Sequence, residues 1–461
     1  MQLFEKNSCL DKNIFLRTEI QALTYEQVFS TGDAIFDGPE KQIILILCEK
    51  SVDTIVAYVG AIRNNKVPLL VDANFKVNLT NGFIDKYQPD FIACTDDSNL
   101  ILDRYSPFKS VGSLRIFKKN TPSEYEISPD LALLVPTSGS TGDPKCVRIS
   151  YRNIDTCTEA ICEYLKFSQH RVCLSILPIH YSYGLSVLNN CIYERASYVV
   201  SDVNVLDKDF WSILTNFSIT DLSGIPFTFK VLKRAVVDYK DFPNLQCVTQ
   251  AGGYMPEADT KFFQERFADT GISYFSMYGQ TEASPRISYL APEYAFSKHG
   301  SVGVPLSCGK VSLLDTDANG VGELCYEGPN VALGYAEGYQ DLARGDEFKG
   351  KLKTGDLAQI DKDGFIRIMG RLKRFIKFAG ISVNLDRIEK DLNGRFNSVV
   401  VIGKDEKIIA LTEGDNSAEI KSFIASTYGF NKANIKSQKI SSVLLNASGK
   451  TDYKQLTQDF C

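Results

Sequence analysis

The feature that most constrains this chain is a repeated alternation of short, β-rich apolar runs with stretches of helical length. IILILCEK (43–50) reads as a buried strand, SVDTIVAYVGAIRNN (51–65) as an amphipathic helix, and VPLLVDA (67–73) and DFIACTD (90–96) as further strands. The rhythm resumes after residue 170. VCLSILP (172–178), ASYVVS (196–201), DLSGIP (221–226), CVTQAG (247–252) and SYFSMYG (273–279) are strand-like, and DKDFWSILTNF (207–217) and MPEADTKFFQERF (255–267) are helical. Strands separated by helices imply α/β layers around a largely parallel sheet, because a parallel neighbour needs a long crossover. At 461 residues the chain exceeds one hydrophobic core and calls for two to four domains or subdomains.

From residue 310 the pattern changes. KVSLLDTDANGVGELCYEG (310–328) and AQIDKDGFIRIMGR (358–371) read as hairpins. DTDANG imitates the start of a calcium loop, but its twelfth position is Tyr326 rather than a bidentate Glu, so a hairpin turn is expected. The last 90 residues read as an α+β unit: helix NLDRIEKDL (384–392), strands SVVVIG (398–403) and KIIALTE (407–413), helix AEIKSFIAST (418–427) and strand IKSQKISSV (435–443). GRLKRF (370–375) is the expected boundary, giving domains 1–370 and 371–461.

Charge and cysteine usage exclude several classes. A net charge of −5 leaves no basic excess to neutralise phosphates along a nucleic acid or an anionic membrane. The start MQLFEKNSCL has charges where an apolar signal core belongs, and no apolar run approaches a membrane span, so a cytoplasmic protein without membrane insertion is expected. Twelve cysteines without a C-x-x-C pair and three histidines give no metal-ligand spacing; the thiols are expected to be reduced and structural. G-x-G-x-x-G and G-x-S-x-G are both missing.

PTSGSTGDPK (136–145) is the richest local signal. It fails as a Walker loop, since Pro144 stands where Gly must precede the Lys and the β-branched run CVRIS follows. With LALLV before it, the loop joins two strands. Either it is a mobile hairpin loop, or its backbone N–H groups, hydroxyls and the Lys145 ammonium hold phosphate.

TSGSTGDPK (137–145), YGQTE (278–282), GELCYEG (322–328), KTGD (353–356), GRLKRFIKFAG (370–380) and NASGK (446–450) occur in this order. The set resembles the motifs of the adenylate-forming superfamily, which includes acyl- and aryl-CoA synthetases, peptide-synthetase adenylation domains and luciferases. The resemblance implies an α/β fold: a large N-terminal AMP-binding domain with a small β-barrel-like part, and a small mobile α+β C-terminal domain. It implies joining of a carboxylate to the α-phosphate of ATP, with Mg2+, and transfer of the acyl group to a thiol.

By the same resemblance, Thr137, Ser138, Gly139, Ser140, Thr141, Gly142 and Lys145 hold the β- and γ-phosphates. Tyr278 stacks on adenine, with Gly253 and Gly279 in the nucleotide site. Thr281 contacts the α-phosphate and Glu282 binds magnesium. Asp356 accepts from the ribose diol, as a carboxylate's paired lone-pair sites allow, and Arg371 makes a second ribose or phosphate contact. Lys373 marks the hinge, Gly380 the thiol channel, and Lys450 crosses the domain gap to stabilise charge during adenylation.

LPIHYSYGLS (177–186) falls where amino-acid-activating relatives carry an Asp for the substrate ammonium. His180 stands there instead, which disfavours a free α-amino acid. His180, Tyr181, Gly184, Phe227, Gly252, Tyr254 and Ser284 are the expected substrate-pocket residues, with Tyr183 and Arg286 nearby, and they suggest a small carboxylic acid. CoA is the favoured thiol; the alternative is a freestanding enzyme loading a carrier protein, and a non-catalytic nucleotide-binding protein is a remote third.

Overall fold

The computed structural model describes the chain except residues 1, 6–9, 37, 96–99, 138–144, 236, 379–380, 397, 405 and 446–450. Among the described residues the expected parallel sheet is two sheets. One has nine strands, in the order Val304–Pro305, Ser288–Leu290, Ser273–Tyr278, Cys247–Gln250, Asp221–Gly224, Val172–Leu174, Ser197–Val199, Ile14–Arg17 and Ala22–Thr24. Ser273–Tyr278 through Ile14–Arg17 pair in parallel, and the strands beyond them at both edges pair antiparallel. The other has eight strands, with Leu131–Pro136, Lys66–Asp72, Gln42–Cys48 and Phe91–Cys94 parallel at its centre.

The largest core draws on both sheets and on helices Tyr25–Asp33, Val52–Arg63, Tyr151–Leu165 and Ser182–Glu194. Local chemistry starts these helices where the strands stop. Ser150 ends Cys146–Ser150 and caps the next helix, accepting from Asn153 N while the Asn153 side chain accepts from Ser150 N. Ser51 caps Val52–Arg63 by accepting from Thr54 N, without the reciprocal bond. The described cysteines are free thiols, most of them buried, and burial pushes thiols such as Cys157 up, which keeps them protonated and inert.

The β-rich part is a four-stranded antiparallel sheet, Lys310–Leu314, Gly322–Glu327, Lys351–Ile360 and Ile366–Arg371, whose outer strands are not paired to each other. Its DTDANG turn is a hairpin turn: Asp317 Oδ1 accepts from Asn319 N at 2.8 Å and Val321 N at 2.9 Å, so the backbone occupies the carboxylate.

From Phe375 on, among the described residues, the strands pair with one another, as Phe375–Phe378 with Ile381–Asn384, and as Val399–Lys404, Lys407–Thr412 and Ile435–Lys439. Helices Leu385–Asn393 and Ser417–Tyr428 cover a separate core around Phe378, Ile388, Val401 and Ile424. Contacts to the preceding chain are polar: Asn384 Nδ2 donates to Met369 O at 3.2 Å, and Lys390 pairs with Glu257. Arg374 is held by Asp386 at 2.7 Å and Glu389 at 3.0 Å and lies 3.8 Å from the centre of the Tyr453 ring. No helix is long and apolar enough to cross a membrane among the described residues.

Candidate active site

The PTSGSTGDPK loop joins two antiparallel strands, with Pro136 opposite Cys146. Its base closes through Thr137 N donating to Lys145 O at 2.9 Å and Thr137 Oγ1 at 3.4 Å. Ser138, Gly139, Ser140, Thr141 and Gly142 lie outside the described residues. The Lys145 ammonium sits 3.7 Å from the centre of the Tyr335 ring and 4.0 Å from Glu337. The Tyr335 hydroxyl donates to Glu282 Oε1 at 2.8 Å. Burial and the Glu282 carboxylate both push that phenol up, so it stays protonated as a donor.

Tyr335 thus links Lys145 to Glu282, and sequence reasoning missed it. It arrives because Gly334–Ala336 adds as an edge strand on Cys146–Ser150, with Tyr335 opposite Val147. One tyrosine in VALGYAE has no spacing relation to a lysine far earlier in the chain. The only available signal was a polar-tipped aromatic in an apolar run, a residue type that needs a partner when buried.

A second group forms where the first sheet meets the antiparallel one. Asp356 is 2% exposed. Its Oδ2 accepts from the Tyr278 hydroxyl and from Gln280 Nε2, the latter at 2.9 Å, and its Oδ1 forms an ion pair with Arg371 Nε at 3.1 Å. Gln280 also donates to Thr354 O at 2.8 Å. Tyr278, Asp356 and Arg371, expected around one nucleoside, are therefore in mutual contact. The Asp356 carboxylate is already engaged, with spare lone-pair capacity only beyond these bonds. Burial and Asp356 together raise the Tyr278 phenol well above its ordinary value.

Between the groups, Thr281 opens a one-turn 3-10 helix, Thr281–Ala283, and its Oγ1 lies 3.0 Å from Ser182 Oγ. Gly279 is required by the chain itself: a Cβ there would stand 1.8 Å from Pro285 O. Gly252 has φ +88°, and a Cβ would meet the Tyr181 hydroxyl at 2.5 Å; at Gly253 it would lie 3.3 Å from Pro226. Ser284 closes the turn in the left-handed region, φ +58°, and its buried Oγ has no hydrogen-bond partner among the described residues.

His180 Nε2 faces Asp72 Oδ2 at 3.7 Å, and its buried Nδ1 has no hydrogen-bond partner among the described residues. Burial lowers the imidazole's pKa, with Asp72 opposing, which favours the neutral ring. Gly184, in the first turn of Ser182–Glu194, lies so close to the preceding segment that a Cβ would sit 2.3 Å from Pro178 O, a packing requirement. Phe227 and Tyr254 are 43% and 60% exposed, at the surface rather than enclosed. Lys373 is exposed in the turn Leu372–Arg374. Gly380 and Lys450 lie outside the described residues.

Magnesium keeps several waters and takes one or two carboxylates plus substrate phosphates. Glu282, with one oxygen steadied by Tyr335 and beside Thr281, suits that role without a larger acidic cluster; the described residues contain no group of three or more metal-ligating side chains.

The family model described as AMP-binding enzyme matches residues 23–336. A D-alanine--D-alanyl carrier protein ligase of Staphylococcus haemolyticus (strain JCSC1435) is 25% identical over 476 residues, covering 97% of this chain and 96% of that protein. One from Staphylococcus aureus (strain bovine RF122 / ET3-1) is 24% identical over 473 residues with the same coverage. ATP-bound MatB from Rhodopseudomonas palustris superimposes with a TM-score of 0.79 at 18% identity, covering 100% of this chain and 98% of that one. O-succinylbenzoate Coenzyme A synthetase (MenE) from Bacillus subtilis, in complex with ATP and magnesium ion, gives 0.75 at 19% identity, with 96% of each chain covered.

Proposed function

We propose a function on one premise: the chain belongs to the AMP-binding enzyme family. It activates a small carboxylic acid with ATP, releasing pyrophosphate, and passes the acyl group to a thiol. The observation that carries this reading is the Lys145–Tyr335–Glu282 arrangement beside Thr281, a cation and a carboxylate held in fixed relation at the base of the expected phosphate loop.

In the first half-reaction a carboxylate oxygen of the acid attacks the α-phosphorus, and the bond to the pyrophosphate oxygen breaks. Two anions must approach, so the site acts mainly by orientation and fixed positive charge. Lys145 binds the departing phosphates, Thr281 orients the α-phosphate, and Glu282 holds a magnesium ion, which when bound neutralises phosphate charge. Asp356 and Arg371 seat the ribose, with the Tyr278 ring against the adenine. Lys450 stabilises charge on the reacting oxygens. The C-terminal unit, 371–461, then pivots at Lys373. The thiol enters past Gly380, its sulfur attacks the acyl carbonyl, and AMP leaves with the bonding electrons.

The relatives that span nearly the whole chain are named for a carrier protein, which favours a carrier-protein thiol over CoA and reverses the preference drawn from the sequence. They are also named for D-alanine. The neutral His180 argues for an acid without an α-ammonium, and D-alanine therefore heads the amino-acid arm of the test. Carboxylate-dependent ATP–pyrophosphate exchange across short aliphatic, hydroxy, aromatic and amino acids tests adenylation. Competition between CoA and a thiol-bearing carrier protein tests the acceptor. ATP binding without exchange for any acid would leave the non-catalytic reading.

A further inference from the structure

Arg286 is 2% exposed, yet its guanidinium has no hydrogen-bond acceptor and no carboxylate partner among the described residues; its buried Nε is unpartnered. The side chain lies over Tyr183, 5.0 Å from the ring centre, and lines a cavity of about 20 Å³ with Tyr183, Asn190, Asp221, Ser223 and Thr249. That volume admits one water-sized group, such as a single carboxylate oxygen reaching in from a ligand. The Asn190 Oδ1 at its wall is also buried and unpartnered. With that amide turned over, Nδ2 stands there as a donor instead.

A buried cation without a counter-ion costs several kcal/mol, and a water molecule supplies a hydrogen bond without neutralising the charge. The wall offers no free anion. Asp221, the one carboxylate there, accepts from Arg171 at 3.3 Å and from Thr220 Oγ1. Tyr183 donates to Thr249 O at 3.0 Å and is held protonated by its burial. The missing anion belongs to a ligand. The cavity and the candidate active site share structural elements: Tyr183 follows Ser182, whose Oγ lies 3.0 Å from Thr281 Oγ1, and Arg286 follows the Thr281–Ala283 turn.

We propose that Arg286, with Asn190, binds a second carboxylate of the acid being activated, so that the substrate is a short dicarboxylic acid whose other carboxylate is presented at Thr281. This rests on the adenylation reading and narrows its substrate class. The same guanidinium opposes an α-ammonium, which sets this pocket apart from one built for an amino acid.

The test measures ATP–pyrophosphate exchange with malonate, succinate and glutarate against propanoate, butanoate and pentanoate, with D- and L-alanine alongside, in wild type, Arg286→Met and Arg286→Lys. Each diacid is also titrated calorimetrically without ATP. The expected result is exchange favouring one diacid over its matched monoacid, with that ratio of kcat/KM falling about 100-fold in R286M, as for a buried charge pair losing one partner, and partly restored in R286K. A ratio of kcat/KM is insensitive to a general loss of activity. A preference for monoacids or alanine, or an unchanged ratio in R286M, overturns the proposal and leaves adenylation standing. Exchange with no acid removes the adenylation reading, and calorimetry then decides: diacid binding lost in R286M upholds the site, and no diacid binding overturns it. If R286M does not fold, the wild-type preference between diacid and monoacid decides.

Discussion

The Lys145 ammonium stands 3.7 Å from the centre of the Tyr335 ring, and the hydroxyl of that ring donates to Glu282. One side chain therefore sets both the cation and the carboxylate. Tyr335→Phe keeps the ring and removes the donor; the rate of exchange should fall about tenfold, the scale of a hydrogen bond to a charged group, with a higher magnesium concentration needed for half-maximal rate. Tyr335→Ala also removes the cation's platform and should cost a further factor of about three. A magnesium titration of both variants distinguishes the two contributions; equal magnesium dependence in Y335F and wild type would detach Glu282 from the metal role.

Asp356 and Arg371 should differ sharply although they are paired. Asp356 is buried and receives Tyr278 and Gln280, so Asp356→Ala strands buried donors and should lower stability by about 2–4 kcal/mol in urea unfolding. The Arg371 side chain is largely exposed, and Arg371→Ala should change stability by less than about 0.5 kcal/mol. Its loss should instead appear as weaker ATP binding. A large stability loss in R371A would mean that the pair is structural.

Burial pushes the Asp221 carboxyl up to about 6 despite Arg171. Its folded form then holds a proton more tightly than the unfolded chain, whose carboxyl titrates near pH ~4. The stabilising contribution is complete below about pH 4 and is lost as pH rises through about 6. Asp221→Asn stays neutral and should flatten the fall in melting temperature across that interval. An unchanged slope in D221N would place the titration elsewhere.

Lys450→Ala should lose adenylation by about 10²–10³-fold, the scale of removing one pre-oriented electrostatic donor, while still consuming a supplied acyl-adenylate with thiol. Unchanged adenylation would remove Lys450 from the first half-reaction.

Adding a methyl at Gly279 places it 1.8 Å from Pro285 O, a backbone atom that cannot swing aside. Gly279→Ala should lower the melting temperature and distort both Thr281 and Arg286, and a variant with wild-type melting and exchange would show that the turn can relax.

Much of this was legible in the sequence because it depended on local pattern. Runs such as IILILC and SYFSMY carry their strand periodicity on their face, and the turn at Asp317 carries its own backbone partners. Placement across the chain was not legible. Nothing near Gly334 announces pairing with Cys146–Ser150, so Tyr335 went unseen, and one parallel sheet was expected where the strands divide into two. For Gly184 and Gly279 the motifs suggest room for a ligand, whereas the closest atoms to their missing Cβ positions are backbone oxygens of this chain. Arg286 was noticed but could not be aimed, because a side chain's direction after a left-handed residue such as Ser284 depends on the fold around it. Arg374, one residue past the expected hinge, finds its acids in Asp386 and Glu389 of the next helix, partners that only the fold brings to it.

The parallel pairing of Ile14–Arg17 with Ser197–Val199 has a consequence in time. Leu16 is synthesised roughly 180 residues before Tyr198, and at ribosomal rates of about 5–20 residues per second that interval is on the order of 10–40 s. Through it, the edge of this strand that will face Ser197–Val199 has no native partner, while Phe15 can already stack on Tyr25, 4.2 Å away between ring centres. The nine-stranded sheet is thus built in nearly chain order, from the Ala22–Thr24 edge towards the Val304–Pro305 edge. During translation, the early hairpin of Ile14–Arg17 and Ala22–Thr24 is the segment on which a nascent-chain chaperone would have the longest opportunity to act.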